Sequence, residues 1–367
     1  MNYTRQARLL VYSLFFGLAS AAQPQTAKTW QHEGAYKLWL SRDGSTLLSQ
    51  SRDTKQMIRV WNVSAQKFVG SLPLSNGQYG NVLALSQDGR TCVVRRKTYN
   101  GDAAEATMVR CEAWALRANG ASPRLLWKFS SRNQEQVLAA TFQGTNVVLL
   151  WPTRVETRNS LGRAVRNMKL QVEKDESQME GGGLSTNGQL AVLGRNSRAY
   201  VFNTSNGKKI RKLELDDDYE FFGWWRDITF SYDGRFVTGV TDHVTDPGLS
   251  EDVHSQIVSD RWVWDVWTEK MLLHWPDIGD FRSTFSPDGR AILKQTDVWN
   301  WSNPQAPTFE GKLQFQNIVS HKPSRFQIPH PWNKTDNRWL LDVRVSGDGK
   351  TVVALDTKGN IWTQRPK

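Results

Sequence analysis

The sequence predicts an all-β fold, a seven-bladed β-propeller with four antiparallel strands per blade, closed by an N-terminal strand, and three observations carry that prediction. A Ser-x-Asp-Gly turn or a worn version of it recurs seven times, short β-rich runs flank every copy, and a further strand bearing an aromatic follows most of them. Self-similarity at periods of roughly 20 to 50 residues marks repeat architectures, and four short strands per repeat mark a propeller.

Length and composition permit this. At 367 residues the chain exceeds the ~100 to 200 usual for one domain, but all-β folds run longer as single units. A content of 39% hydrophobic and 23% charged residues is that of a globular protein. No stretch reaches the ~18 consecutive apolar residues of a membrane span.

The N-terminus reads as a signal peptide over residues 1–22, leaving a propeller over 23–367. Arg5 and Arg8 precede an apolar run from Leu9 to Ala22, which ends in the small residues Ala19, Ser20, Ala21 and Ala22 before a polar Gln-Pro-Gln-Thr. Cleavage is expected after Ala21 or Ala22, and the alternative is an uncleaved anchor. Cleavage removes Arg5 and Arg8 and no acid, so the formal charge falls from +11 to +9. A basic exported protein favours polyanionic surroundings, or simply has a solvated basic surface. No Lys/Arg block or aromatic-interleaved motif points to nucleic acid, which is not an expected partner.

The turns run along the chain as SRDG (Ser41–Gly44), SQDG (Ser86–Gly89), TFQG (Thr141–Gly144), STNG (Ser185–Gly188), SYDG (Ser231–Gly234), SPDG (Ser286–Gly289) and SGDG (Ser346–Gly349). Asp or Asn bonds its own downstream backbone and Gly supplies positive φ, which is hairpin chemistry. First strands such as YKLWLS, NVLALS and RDITFS precede the turns, and second strands such as TLLSQS, TCVVRR and AILKQT follow. Third strands carry an aromatic at Trp61, Trp114, Phe202, Trp264, Trp299 and Trp362, with only RVETRN in the third repeat, which makes that blade the weakest. Fourth strands such as KFVGSLPL and KIRKLEL complete each unit.

At FSPDGRAIL (Phe285–Leu293) and VWDV (Val263–Val266) the chain resembles the WD-repeat family, over about residues 27–365. The Ser-Pro-Asp-Gly turn also resembles that of the periplasmic propeller of the Tol system. The resemblance implies a propeller. The Gly-His pair that opens a WD repeat is replaced by NGQYG, FFGWW and DIGDF, so no residue of that family's His-anchored tetrad is carried over.

The chain ends in a third strand, GNIWTQRPK. The segment Ala27–Glu33 is expected to supply the missing outer strand of the last blade, covering an exposed edge. Cys92 and Cys111 lie symmetrically about a loop centred near Gly101 and Asp102 and are expected to face each other as a cross-strand disulfide. No HExxH, GxSxG, GxxxxGKS or CxxC motif is present, so no catalytic residue and no cofactor is expected. The loop from Thr241 to Asp260 gathers Asp242, His243, Asp246, Glu251, Asp252, His254 and Asp260; a metal there and a solvated insertion both remain open.

Loops joining second to third strands, and blade to blade, emerge on one face of a propeller. The long insertions fall there: Lys97–Thr107, Asp216–Trp225, Thr241–Asp260 and Ser320–Arg338. Within them Tyr219, Phe221, Phe222, Trp224, Trp225, Arg325, Phe326, His330 and Trp332 form a candidate binding rim of the residue types that dominate interface hot spots. For Trp224 and Trp225 the alternative is packing between blades. The expected function is a non-enzymatic, monomeric binding or scaffold propeller of the bacterial envelope or secreted space, engaging a protein or polymer. The alternative is an exported propeller hydrolase or lyase with its site at the central channel.

Overall fold

The structure, a computed structural model, describes residues 29–51, 57–73, 78–98, 108–117, 121–131, 136–172, 181–195, 198–215, 225–244, 257–276, 278, 281–300, 308–324 and 340–364. After β1 (Thr29–Gln31) come β2 (Ala35–Leu40), β3 (Thr46–Ser51), β4 (Ile58–Asn62) and β5 (Lys67–Leu72). The next repeat holds β6 (Gln78–Leu85), β7 (Thr91–Thr98), β8 (Met108–Ala115) and β9 (Arg124–Ser131). It is followed by β10 (Ala139–Gln143), β11 (Asn146–Leu150), β12 (Arg154–Arg158) and β13 (Ala164–Lys169). Then come β14 (Gly181–Leu184), β15 (Leu190–Arg195), β16 (Arg198–Asn203) and β17 (Lys209–Glu214). The fifth repeat holds β18 (Trp225–Phe230), β19 (Phe236–Val244), β20 (Ile257–Asp265) and β21 (Met271–Trp275). The chain finishes with β22 (Ala291–Asn300), β23 (Thr308–Asn317), β24 (Leu340–Val345), β25 (Val352–Asp356) and β26 (Asn360–Gln364).

Six sheets are four-stranded and antiparallel, with strands in sequence order except in the last, which runs β24-β25-β26-β1. That sheet takes its outer strand from the other end of the chain: Thr29 pairs with Trp362 and Gln31 with Asn360. Further contacts hold the strap to both the first and the last blade. Trp30 stacks on Trp61 of the first blade at 5.3 Å and 7°, and the His32 backbone N–H donates to the Gly359 carbonyl at 2.8 Å.

The turns form because their side chains close them locally. In the six copies with Ser first, the Ser hydroxyl donates to Asp or Asn Oδ1 at 2.6–2.8 Å. The backbone N–H five residues after each Ser donates back to its Oγ at 2.9 Å. Gly89, at φ 66, shows why the fourth place is glycine, since a Cβ there would also meet Thr46 of the preceding turn at 2.4 Å. The third copy differs: Gln143 pairs directly with Asn146, a tighter hairpin about Gly144 and Thr145.

The third-strand aromatics share one register in four blades. Trp61, Trp114, Phe202 and Trp264 pair with Leu47, Cys92, Ala191 and Val237, each three residues after the turn Gly. At each of them the pairing to the fourth strand shifts by a bulge, as it also does at Arg158 of the third blade, whose guanidinium lies 3.8 Å from the Phe129 ring centroid. Trp362 is out of this register, pairing with Ala354.

Seven buried apolar clusters lie between successive repeats. Leu38, Trp61 and Ile361 join last to first; Phe281, Phe315 and Val343 join sixth to last. The largest fully buried side chains, Trp262 and Trp264, sit at and near the fourth-to-fifth boundary.

Four expectations are corrected. Among the described residues the count of four-stranded blades is six, not seven: there the sixth repeat forms the two-stranded sheet β22–β23, with isolated bridges Phe285↔Ile292 and Gln316↔Pro323. The TDVWNW segment is the reason, because it continues β22 to Asn300 instead of starting a third strand, and Trp299 pairs with Phe309. Secondly, the third blade is complete, and the sixth is the irregular one. Thirdly, Cys92 and Cys111 are both free and buried. Cys92 pairs with Trp114 while Cys111 pairs with Arg95. An offset of three residues is odd, so the two side chains fall on opposite faces of the sheet, Cys92 toward the first blade and Cys111 toward the third. Burial pushes both thiols up, Cys111 to about 12. Finally, a His-anchored hydrogen-bond chain does exist in one blade. The Trp61 indole N–H donates to Ser49 Oγ at 2.8 Å, and Ser49 Oγ bonds buried His32 Nδ1 at 2.7 Å.

Candidate functional site

First strands from every blade, with residues 282–285 of the sixth repeat, surround a cavity of about 570 Å³, the central channel. Ligand pockets commonly span ~300 to 1,000 Å³. Its wall is divided. On one side Leu83, Leu85, Leu138, Ala139, Gly181 and Gly182 present carbon. On the other, Lys37, Arg226, Arg282 and Arg344 face Asp227, while Arg95 lies with Asn81 and Thr186 among the repeats of the first side and donates to the Val137 carbonyl.

The charged half has a simple origin. Four residues before the turn serine stand Asp227, Arg282, Asp342 and Lys37 in the fifth, sixth, last and first repeats, so charge alternates around four successive units. At the same place the second and fourth repeats have Val82 and Gly181. The pattern stands at one fixed distance before the turns and is present in the sequence itself.

Asp227 is the hub. It sits at φ 51, where Asp is tolerated better than most L-residues, at a register shift between Arg226 and Thr229. Its carboxylate ion-pairs with Arg282, lies 3.4 Å from Lys37 Nζ and 3.8 Å from Arg226. Burial alone would raise its pKa, but Lys37, Arg282, Arg261 and Arg226 hold it well below the usual carboxylate range. Lys37 responds inversely: burial, aided by Arg282 and Arg344, pulls it down to about 8 against the attraction of Asp227 and Asp342.

Neighbours lock this arrangement. Asp342, wholly buried, accepts from the Leu38 backbone N–H at 2.8 Å and from Arg344; burial raises its pKa, with Arg344 and Arg282 opposing. Arg226 donates to both Asp242 oxygens at 2.9 Å and to Ser259 Oγ at 2.7 Å. Arg261 donates to the Phe281 carbonyl at 3.2 Å. At the turn end Arg42 lies 5.3 Å from the Tyr232 ring centroid, joining first and fifth blades, which are not neighbours in the ring. Asp227 on the channel wall and Asp342 buried behind it each accept from an arginine, and because the cations of the lining outnumber these carboxylates the wall acts chemically as an anion receptor.

Of the rim residues, Tyr219, Phe221, Phe222, Trp224, Arg325, Phe326, His330 and Trp332 lie outside the described residues. Trp225 opens β18, is buried and packs against Trp264 at 5.6 Å, which is the between-blade alternative for that residue and takes it off the rim. A Cβ on Gly194 or Gly239 would meet its ring at 2.5 or 2.7 Å, so these glycines make its slot. Asp246, Glu251, Asp252 and His254 also lie outside the described residues. Asp242 is paired as above, His243 pairs with Val258 in the β19–β20 ladder, and Asp260 Oδ2 bonds His274 Nε2 at 2.8 Å. Among the described residues no three His, Cys, Asp or Glu side chains form a metal-sized group.

No family model and no curated protein matches the chain. Its fold matches many solved chains, 1208 of them. One, from the crystal structure of the mitotic checkpoint complex, is similar over 98% of this chain and 99% of its own, with a TM-score of 0.56 and 13% identity. This likeness shows the fold, a β-propeller, and nothing about function. Among the described residues no helix is long and apolar enough to cross a membrane.

Proposed function

We propose that this protein is an exported, non-enzymatic binding propeller that engages a protein or envelope polymer through one face. The observation that carries the reading is the asymmetry of its connections. Because consecutive strands are antiparallel, connections from first to second and third to fourth strands share one face, and the remainder share the other. On the first face the first-to-second connections are short turns, five or six residues in most repeats and two in the third. The connections that join second to third strands or one repeat to the next include the sequence stretches 99–107, 215–224, 245–256 and 325–339, to which the proposed aromatic and basic rim belongs. A rigid ring carrying long loops on one side is a common binding design. The similar solved chain belongs to a complex, which agrees with a scaffold role.

The sixth repeat completes the ring as a seventh blade in this reading. Supporting it are its own SPDG turn and apolar clusters with both neighbours, Phe285 and Ile292 on one side and Phe281 and Phe315 on the other. The N-terminal leader supports export to the periplasm or beyond. The test is affinity capture from envelope extract with the wild type and a Trp332→Ala, Phe222→Ala double variant. A specific partner recovered by the former and lost by the latter supports the reading; equal recovery refutes it.

A further inference from the structure

We propose that the central channel is a second binding site, distinct from the loop face, for a small molecule with one anionic head and an apolar body. The lining carries Lys37, Arg95, Arg226, Arg282 and Arg344 against the single carboxylate of Asp227. Each arginine has a protein partner, Arg95 the Val137 carbonyl at 2.9 Å, Arg226 Asp242, Arg282 Asp227 and Arg344 Asp342, yet with Lys37 these five cations outnumber the three carboxylates, so an excess of positive charge remains for a ligand. Lys37, Arg282 and Arg344 come from adjoining repeats and form the head site. Lys37 is held to Asp227 by a long 3.4 Å contact, and its side chain remains 20% exposed toward the cavity. Guanidinium groups suit planar carboxylate and tetrahedral phosphate oxygens alike, so both heads share the chemistry.

The opposite wall decides the rest of the ligand. Leu83, Leu85, Leu138 and Ala139 offer no hydrogen-bonding side chain, and they form an apolar strip there beside Asn81, Arg95 and Thr186. A fully charged or fully polar ligand would leave that wall wetted, whereas an alkyl or aryl body buries it. At ~25 cal/mol per Å², covering carbon is what separates such a ligand from an inorganic anion.

The charges facing Lys37 make binding pH-sensitive. Asp227 and Asp342 favour its ammonium, while Arg282, Arg344 and burial disfavour it. An anionic head resting on Lys37 joins the first group. Affinity is therefore full below the free-state value of about 8 and falls as pH rises through it.

The experiment is titration calorimetry on the folded protein with octanoate, octyl phosphate, octanol and inorganic phosphate. Octanoate or octyl phosphate should bind one-to-one and saturably, and the two arms separate carboxylate from phosphate heads. Octanol, which loses the charge-assisted hydrogen bonds, and inorganic phosphate, which loses the burial of carbon, should each bind at least about tenfold more weakly, tenfold being ~1.4 kcal/mol. The wild-type affinity should drop between pH 7 and 9.5, and Lys37→Met should remove that drop. Should Lys37→Met fail to fold, Arg344→Gln and the wild-type pH profile carry the test. Octanol equal to octanoate, inorganic phosphate equal to both, no saturable binding, or a flat pH profile would each overturn the proposal. Because the loop-face variant Trp332→Ala, Phe222→Ala should leave octanoate binding unchanged, failure of the two sites is told apart.

Discussion

Replacing Trp30 by Ala tests how the ring is closed. Trp30 is buried to 9% exposure, lies on a strand of only three residues, and stacks on Trp61 while its strand pairs with β26. Core Trp→Ala changes cost about 3–5 kcal/mol, and the ring stack contributes ~0.5–1.5 kcal/mol beyond area. Little compensating collapse is available, because β1 has no other large apolar side chain to slide inward. The variant should therefore lose about 3–5 kcal/mol in equilibrium urea unfolding. Leu161→Ala, at a residue 70% exposed, is the control and should stay within about 0.5 kcal/mol. Deleting residues 23–33 should lower the melting temperature more than Trp30→Ala does, since it also removes His32 from Ser49 and the ladder to β26. A deletion variant that melts with the full chain would refute the strap.

Other outcomes follow from the same contacts. Asp227→Asn keeps a residue tolerant of its positive φ while leaving several cations uncompensated, so it should cost about 3–5 kcal/mol near neutral pH. Because Asp227 is depressed, its contribution is present above the unfolded carboxylate value of ~4 and is lost only as pH falls through the lower folded value, so the two proteins' stabilities should converge in acid and not in alkali. Thiol titration should find two free thiols per chain in denaturant without reductant, and almost no reaction in the native state at pH 8, where burial keeps Cys92 and Cys111 protonated; a missing thiol would contradict the assigned register. Gly181→Ala should destabilise by about 1–3 kcal/mol, its Cβ meeting the Trp225 carbonyl oxygen at 2.5 Å, and an unchanged melt would show that the two strands lie further apart. N-terminal sequencing of the exported protein should begin at Ala22 or Gln23.

What the sequence revealed depended on how local the physics was. The six Ser-led turns were legible because Ser, Asp or Asn and Gly close them within a few residues, whatever surrounds them. The strap was legible because the segment before the first repeat has strand composition and the third strand of the last repeat, β26, offers it an edge to cover. Pairing register was not legible. Cys92 and Cys111 look opposed when the loop centre is placed near Gly101, but the ladder places Cys92 opposite Trp114, and a slip of three residues turns one thiol away from the other. The sixth repeat misled for a related reason, because TDVWNW has strand composition and nothing in it marks the absence of a turn before it. Trp225 shows the limit of composition at a rim, since its fate rests on Gly181, Gly194 and Gly239, which are distant in sequence and open its slot. The channel's alternating charges were present in the sequence, one repeat apart, and became a site only when the ring brought the fifth and first repeats within an ion-pair distance.

The claim that one face of the ring does the binding is tested most directly by lysine cross-linking of the captured complex followed by mass spectrometry. Cross-links to the partner should fall on Lys97, at the end of β7, and on Lys334, in the long sequence insertion before β24. Links concentrated instead on Lys67, Lys208, Lys270 and Lys350, beside the tight turns, would contradict the account.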